Sequence, residues 1–205
     1  MNKKTHWETV YQTKSDRQVS WYRDHLDNSL RMILNTNVGK DAAIIDVGGG
    51  NSTLADDLLD NGFADISVLD ISASAMKKSQ TRLGSRAQQI EWLEADITDA
   101  TLPKNYYDVW HDRAVFHFLT DAKDRQKYVK LVMSSLKIGG HIIVASFGEN
   151  GPLKCSGLDV VRYSPETMHS EFGNEFKLIK SLNETHKTPF GTTQEFIYCY
   201  CRKLF

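Results

Sequence analysis

Short apolar runs alternate with helical patterns along most of this chain, and that alternation constrains the fold more than any other feature. Strand-like runs are predicted at residues 44–47, 66–69, 90–93, 108–110 and 141–147. Helical patterns are predicted for residues 25–35, 54–62, 74–83 and 121–140. Strands that alternate with helices of about 10–15 residues form βαβ units. We therefore expect a doubly wound, mostly parallel α/β sheet with helices on both faces.

The pattern changes after residue 147. Residues 148–165 contain two of the four prolines and three glycines, and we expect a long loop there. Two β-like runs, 176–182 and 195–201, flank a stretch that contains Pro189 and Gly191. These runs could form a hairpin that completes the sheet antiparallel to the other strands.

Composition excludes several classes of protein. The 205 residues include 25 Lys and Arg against 26 Asp and Glu, a formal net charge of -1. This balance lacks the positive field of a nucleic-acid or anionic-membrane binder, and no apolar run approaches a membrane span. Three cysteines suit buried thiols in a reducing compartment rather than a metal site. No apolar stretch follows the first lysines, so we expect a cytoplasmic protein without a signal peptide.

The most informative segment is residues 46–52, Asp-Val-Gly-Gly-Gly-Asn-Ser, which joins a predicted strand to a predicted helix. Glycines at such a junction let the backbone approach a ligand closely. The next predicted strand ends in Asp70, 20 residues beyond Gly50. At that spacing a carboxylate accepts hydrogen bonds from the ribose of an adenosine-containing cofactor. Asp46 or Asp70 alone could instead cap a helix, but carboxylates after successive strands favour a binding site.

The charge beside the loop discriminates between cofactors. Asp46 lies two residues before the first glycine, where a carboxylate repels a pyrophosphate but suits the amino group or sulfonium of S-adenosylmethionine. Thr53 occupies the position of the third glycine in the dinucleotide fingerprint. The pattern therefore favours an amino-acid-bearing nucleoside, and an NAD-dependent oxidoreductase is a disfavoured alternative.

Five ordered segments resemble those of the class I S-adenosylmethionine-dependent methyltransferases: residues 46–50, 68–72, 95–97, 107–114 and 136–141. The resemblance covers about residues 40–147 and implies a seven-stranded sheet whose last strand is antiparallel, with S-adenosylmethionine as cofactor. It also implies a single methyltransferase domain over residues 1–205. The domain would comprise an aromatic and helical arm (1–38), a cofactor-binding core (40–147), and an acceptor loop with a terminal hairpin (148–205).

By the same resemblance, Asp46 and the glycines line the methionine moiety, Asp70 holds the ribose, and Asp96 with Ile97 holds the adenine. The arm is expected to close over the cofactor, although its Trp7 and Tyr11 could simply pack a helix onto the sheet. The residues expected to bind the cofactor are Trp21, Asp46, Gly48, Gly49, Gly50, Asn51, Ser52, Asp70, Ile71, Asp96, Ile97 and Asp112.

The candidate catalytic residues are His117, His111, Arg113 and Tyr163. The two histidines are candidate general bases, and His117 matches a histidine that the resemblance places beside the transferred methyl. His111 could instead form an ion pair with Asp112 that holds the strand end. Arg113 suits a carboxylate or a pairing with Asp112. Tyr163 either orients a polar substrate or packs down onto the protein.

We expect an enzyme that methylates a small-molecule acceptor, such as a thiol, chalcogen or carboxylate metabolite, because the short, near-neutral chain has no added recognition domain. A protein-lysine methyltransferase is the alternative, favoured by the aromatic arm. A non-catalytic cofactor-binding regulator is a further alternative. The sequence indicates no metal, nucleic-acid or membrane partner, and it predicts no oligomeric state.

Overall fold

The computed structural model describes residues 2–205, and a seven-stranded sheet lies at the centre of that part of the chain. The strands are β1 (Ala43–Val47), β2 (Asp65–Asp70), β3 (Ile90–Glu94), β4 (Tyr107–Arg113), β5 (Leu136–Phe147), β6 (Lys154–Cys155), β7 (Leu158–Asp159), β8 (Phe176–Lys187) and β9 (Thr193–Lys203). The helices are α1 (Lys3–Thr13), α2 (Asp27–Leu34), α3 (Leu54–Asp60), α4 (Ala73–Leu83), α5 (Ala122–Ser135) and α6 (Pro165–Phe172). Within residues 2–205, no helix is long and apolar enough to cross a membrane.

The strand order of the main sheet is β3-β2-β1-β4-β5-β9-β8. Strands β1 to β5 pair in parallel, whereas β9 runs antiparallel to both β5 and β8. The predicted mostly parallel sheet with an antiparallel last strand is therefore confirmed. The strand order reverses between β1 and β4, and open α/β sheets bind ligands at the carboxyl ends of strands at such a point.

Helices cover both faces of the sheet because side chains of the central strands alternate between the faces. On β1, Ile45 belongs to an apolar cluster that includes Tyr128 of α5 and Met168 of α6. Its neighbour Ile44 belongs to a second cluster, which includes Leu54 of α3 and further residues of α2 and α4. The doubly wound arrangement is therefore confirmed.

Two predicted boundaries are wrong. The helix expected to continue to residue 140 ends at Ser135, because Leu136 has an extended ψ of 134° and begins β5. Residues 148–165 are not simply a loop, since they contain the β6–β7 hairpin and the start of α6. The missed helix has an ordinary start signal: Ser164 is its N-cap and Pro165 is its first residue.

Candidate active site

The loop between β1 and α3 has a shape that its glycines permit. Gly48 has a φ of 71°, in the left-handed region that side-chain-bearing residues rarely adopt. A Cβ atom at Gly49 would overlap the carboxylate of Asp46, and one at Gly50 would lie 2.6 Å from the Cβ of Ala75. The triple glycine therefore allows the loop to lie directly against its neighbours.

Asp70 ends β2 beside this loop and is held by backbone amides. The amide of Gly50 donates to Oδ2 at 3.0 Å, and that of Ser72 donates to Oδ1 at 2.8 Å. The side chain is 6% exposed, and burial raises the pKa of Asp70 to about 6 although the two hydrogen bonds oppose the shift. Each carboxylate oxygen can accept a further hydrogen bond, as a ligand hydroxyl would require.

Two adjoining cavities lie at this edge of the sheet. The first encloses about 810 Å³ and the second about 520 Å³, including the open solvent at their mouths. They form one cleft because they share Tyr11, Trp21, Gly48 and Arg113. Predicted site residues in the wall of the first cavity are Trp21, Gly48, Asp70, Ile71, Asp96, Ile97 and Arg113. Those in the second are Trp21, Asp46, Gly48, Gly49, Asn51, Ser52, His111 and Arg113.

Aromatic side chains of the N-terminal arm form one wall of the first cavity. Trp7 of α1 packs edge-on against Trp21 and Phe118, with ring centroids 5.8 and 5.1 Å apart. Tyr11 packs against Trp21 at 6.3 Å, and all four rings line the cavity. Trp7 and Tyr11, for which packing of a helix onto the sheet was the alternative, therefore line the cleft.

His111 pairs with Asp46 and not with Asp112, which corrects one expected ion pair. Its Nδ1 lies 2.7 Å from Oδ1 of Asp46, and its Nε2 lies 2.8 Å from Oγ of Ser29. Consecutive residues of β4 point to opposite faces, whereas His111 and Asp46 are register partners on neighbouring parallel strands. Both ring nitrogens are engaged and the residue is fully buried, so this geometry does not suit a general base for an acceptor.

Asp112 holds the turn after β4. Its carboxylate accepts hydrogen bonds from the amide of Val115 at 2.9 Å and from the hydroxyl of Tyr128 at 2.8 Å. Burial raises the pKa of Asp112 to about 6. Because its side chain points away from that of His111, Asp112 is not in the wall of either cavity in the described chain, contrary to the expected cofactor contact.

Arg113 ends β4 at the junction of the two cavities. Its Nη1 donates to the carbonyl oxygen of Trp21 at 3.1 Å, and its guanidinium lies 4.4 Å from the ring centroid of Phe196. Its Nη2 is 3.8 Å from Oε1 of Glu184, which also accepts a hydrogen bond from Arg23 at 2.7 Å. Arg113 thus pairs with the terminal hairpin and not with its neighbour in sequence.

His117 and Tyr163 are buried and are not in the walls of the two cavities, as far as residues 2–205 show. His117 stacks on Phe147 with centroids 4.6 Å apart, and burial lowers its pKa to about 3. Tyr163 is 3% exposed and packs on Phe116 with centroids 5.6 Å apart. The expectation that these side chains act on an acceptor does not match their placement, because both belong to the packed interior.

The terminal hairpin fastens the N-terminal arm. His186 and Gln194 of this hairpin both contact Ser20: Nε2 of His186 lies 2.7 Å from its carbonyl oxygen, and Nε2 of Gln194 donates to its hydroxyl at 3.2 Å. Cys155 lines the first cavity, where burial raises the pKa of its thiol to about 12. Sequence reasoning missed Glu184 and Ser29 because no local pattern marks contacts between such distant parts of the chain.

The cleft fits an adenosine cofactor that carries an amino-acid tail. Asp70 with Ile71, and Asp96 with Ile97, line the first cavity. In the second, Oδ2 of Asp46 is buried and has no hydrogen-bond partner within residues 2–205. A buried carboxylate oxygen without a partner is costly, and an ammonium group of a ligand would satisfy it.

Comparison with known proteins agrees with this cleft. Residues 45–144 match the model of a family described as a methyltransferase domain. The bovine eEF1A lysine and N-terminal methyltransferase is 27% identical over 155 residues, which cover 73% of this chain and 22% of that protein. The chain thus spans less than a quarter of that relative's length. Human EEF1A lysine methyltransferase 2 is 24% identical over 200 residues, which cover 91% of this chain and 78% of that protein.

Solved structures share the fold. One, described for the conversion of a disulfide bond into a thioacetal group during echinomycin biosynthesis, has a TM-score of 0.80 at 14% identity and covers 99% of this chain and 93% of its own. The N-methyltransferase NodS from Bradyrhizobium japonicum, in complex with S-adenosyl-L-homocysteine, has a TM-score of 0.69 at 14% identity. The match covers 98% of this chain and 99% of the NodS chain.

The fold, the cleft and the matched domain together define a class of enzyme that uses a methylated adenosine cofactor. Residues 45–144 match the methyltransferase-domain family, and the sheet that carries them has the Rossmann-like fold of class I S-adenosylmethionine-dependent methyltransferases.

Proposed function

We propose that the enzyme transfers the methyl group of S-adenosylmethionine to the side-chain amine of a lysine in a protein. The observation that carries the proposal is the similarity to human EEF1A lysine methyltransferase 2, which extends over 91% of this chain. The bovine relative is also named for lysine methylation. These names favour the protein-lysine alternative over the small-molecule acceptor that the size of the chain first suggested.

The walls of the first cavity support an acceptor that enters as a slender chain. Trp7, Trp21 and Phe118 line this cavity together. Aromatic rings offer large apolar surfaces, against which the four methylenes of a lysine would pack. Arg113 and Cys155 line the same cavity and give it a polar region.

In the proposed complex, Asp70 accepts hydrogen bonds from the ribose, and Asp96 and Ile97 face the adenine. Asp46 receives the amino group of the methionine moiety, and residues 48–52 follow its backbone. Trp21 closes the cleft from the arm. This arrangement is supported by the cavity that these side chains line, and each role is open to mutation.

The residues of the chain contribute alignment and exclusion of water, because the bound cofactor supplies an already activated methyl group. A lysine amine has an ordinary pKa of about 10.4 and attacks only when neutral. His111 is engaged by Asp46 and Ser29, and His117 is enclosed. We therefore propose that the amine loses its proton to water before it is aligned.

The test incubates the full chain and tritium-labelled S-adenosylmethionine with two acceptor pools, extracted proteins and the small molecules filtered from the same extract. Label in a protein band that is recovered as methylated lysine after acid hydrolysis of that protein supports the proposal. Label confined to the small-molecule pool overturns it. An Asp70→Ala variant should transfer much less label at limiting S-adenosylmethionine, whereas substitution of the exposed Asp41 by Asn should have no effect.

A further inference from the structure

A chain of buried hydrogen bonds extends from Asp46 on β1 through α2 to β9. Oδ1 of Asp46 contacts Nδ1 of His111 at 2.7 Å, and Nε2 of His111 contacts Oγ of Ser29 at 2.8 Å. Oγ of Ser29 lies 3.5 Å from the hydroxyl of Tyr198 on β9. All four residues are at most 2% exposed, so solvent does not compete for these groups.

The chemistry of the partners sets the direction of these hydrogen bonds. The Asp46 carboxylate only accepts, so Nδ1 of a neutral His111 carries the proton and donates it. Nε2 is then an acceptor, and it takes the hydroxyl hydrogen of Ser29. With its hydrogen directed to His111, Oγ of Ser29 is free to accept a hydrogen bond from the hydroxyl of Tyr198. Asp46 therefore fixes the tautomer of His111, Ser29 holds the orientation of its ring, and His111 in turn fixes one oxygen of Asp46.

The second oxygen of Asp46 remains without a partner in the described part of the chain. Two cations, Arg23 and Arg113, line the second cavity together with Asp46. Both guanidinium groups are directed to Oε1 of Glu184, with nitrogen–oxygen distances of 2.7 Å for Arg23 and 3.8 Å for Arg113. A cationic ligand would stabilise a buried carboxylate whose second oxygen has no partner.

We propose that His111 and Ser29 are positioning residues, which hold Asp46 in the orientation that receives the ammonium group of the cofactor. The proposal rests on the cofactor placement given under the proposed function, and it does not depend on lysine as the acceptor. Neither His111 nor Ser29 touches the reacting atoms in this scheme, because both act through Asp46.

The test compares two ligands by calorimetry: S-adenosylhomocysteine, which has the amino-acid tail, and 5′-methylthioadenosine, which lacks it. Ser29→Ala should weaken S-adenosylhomocysteine binding about fivefold and His111→Asn about tenfold, since each loses a hydrogen bond that orients a charged group. Binding of 5′-methylthioadenosine should change by less than about twofold in both variants.

The matched control is Ser135→Ala, which removes the hydroxyl of a buried serine that has no hydrogen-bond partner among residues 2–205. It should leave both affinities unchanged. Ser29→Ala removes only a hydroxyl from a helix, so it remains informative if His111→Asn does not fold. Equal losses for the two ligands, or an unchanged affinity for S-adenosylhomocysteine, would overturn the proposal. Neither result bears on the acceptor, which only the label assay tests.

Discussion

The backbone amide of Gly50 donates a hydrogen bond to Oδ2 of Asp70 at 3.0 Å, although the two residues are 20 positions apart in the chain. This contact ties the glycine loop that follows β1 to the carboxylate that ends β2. The loop and the carboxylate therefore form one unit at the carboxyl edge of the sheet, where the cleft lies.

Replacing Asp70 by Asn should weaken cofactor binding. The side-chain amide of the variant has one acceptor oxygen in place of two, so either a backbone amide or a ribose hydroxyl loses its partner. We expect a loss of about 1–3 kcal/mol in the free energy of S-adenosylhomocysteine binding, measured by calorimetry at about pH 7.5. The exposed Asp41→Asn variant is the control. An unchanged affinity would contradict the ribose role of Asp70.

The affinity for S-adenosylhomocysteine should depend on pH through the same carboxyl group. Burial raises the pKa of Asp70 to about 6, so the Asp70 carboxyl group of the free enzyme is protonated at lower pH. Two hydroxyl donors require the ionised form, and binding below this pKa therefore releases a proton. Affinity should rise between about pH 5 and 7 and level off above, with proton release measured in buffers of different ionisation enthalpy. A flat profile would contradict this prediction.

The parts of the site that the sequence predicts are those with local signals. The strands that carry Asp46 and Asp70 are recognisable because each is a short apolar run followed by glycine or by a helix start. Parallel strands bring their carboxyl ends to one edge, so the pattern alone places both residues beside the same cleft. The antiparallel end of the sheet followed from two β-rich runs around a turn.

The contacts that the sequence does not predict join distant segments. His111 is adjacent to Asp112 in the chain but bonds to Asp46, which is 65 positions away, because neighbouring residues of a strand face opposite sides. The pairing of Arg113 with Glu184 likewise depends on how the terminal hairpin packs. The sequence predicts a catalytic role for His117, whereas the structure shows that its side chain is fully buried in the packed interior.

Replacing Glu184 by Gln should destabilise the fold. Burial alone would raise the pKa of Glu184, yet the charge of Arg113 and the hydrogen bonds from Asn28 and Arg23 hold it below its ordinary value. The neutral variant leaves Arg113, whose side chain is 5% exposed, without its counter-charge. We expect a loss of about 3 kcal/mol in the free energy of unfolding in urea at about pH 7. Glu149→Gln, at an exposed position, is the control, and an equal effect in both variants would refute the pairing.

Replacing His117 by Asn should make the protein less sensitive to acid. Burial lowers the pKa of His117 to about 3 in the folded state, whereas an unfolded histidine titrates near 6.5. The unfolded chain therefore binds an extra proton as the pH falls from about 6.5, and stability is lost. Between pH 8 and pH 5, His117 should cost the unmodified protein about 2 kcal/mol in the free energy of unfolding, measured in urea. The variant should not show this loss. His25→Asn should make the protein more sensitive to acid. The hydrogen bond and charge of Asp57 raise the pKa of His25, so protonation of this residue stabilises the folded state. Equal pH slopes in the two variants would contradict this assignment.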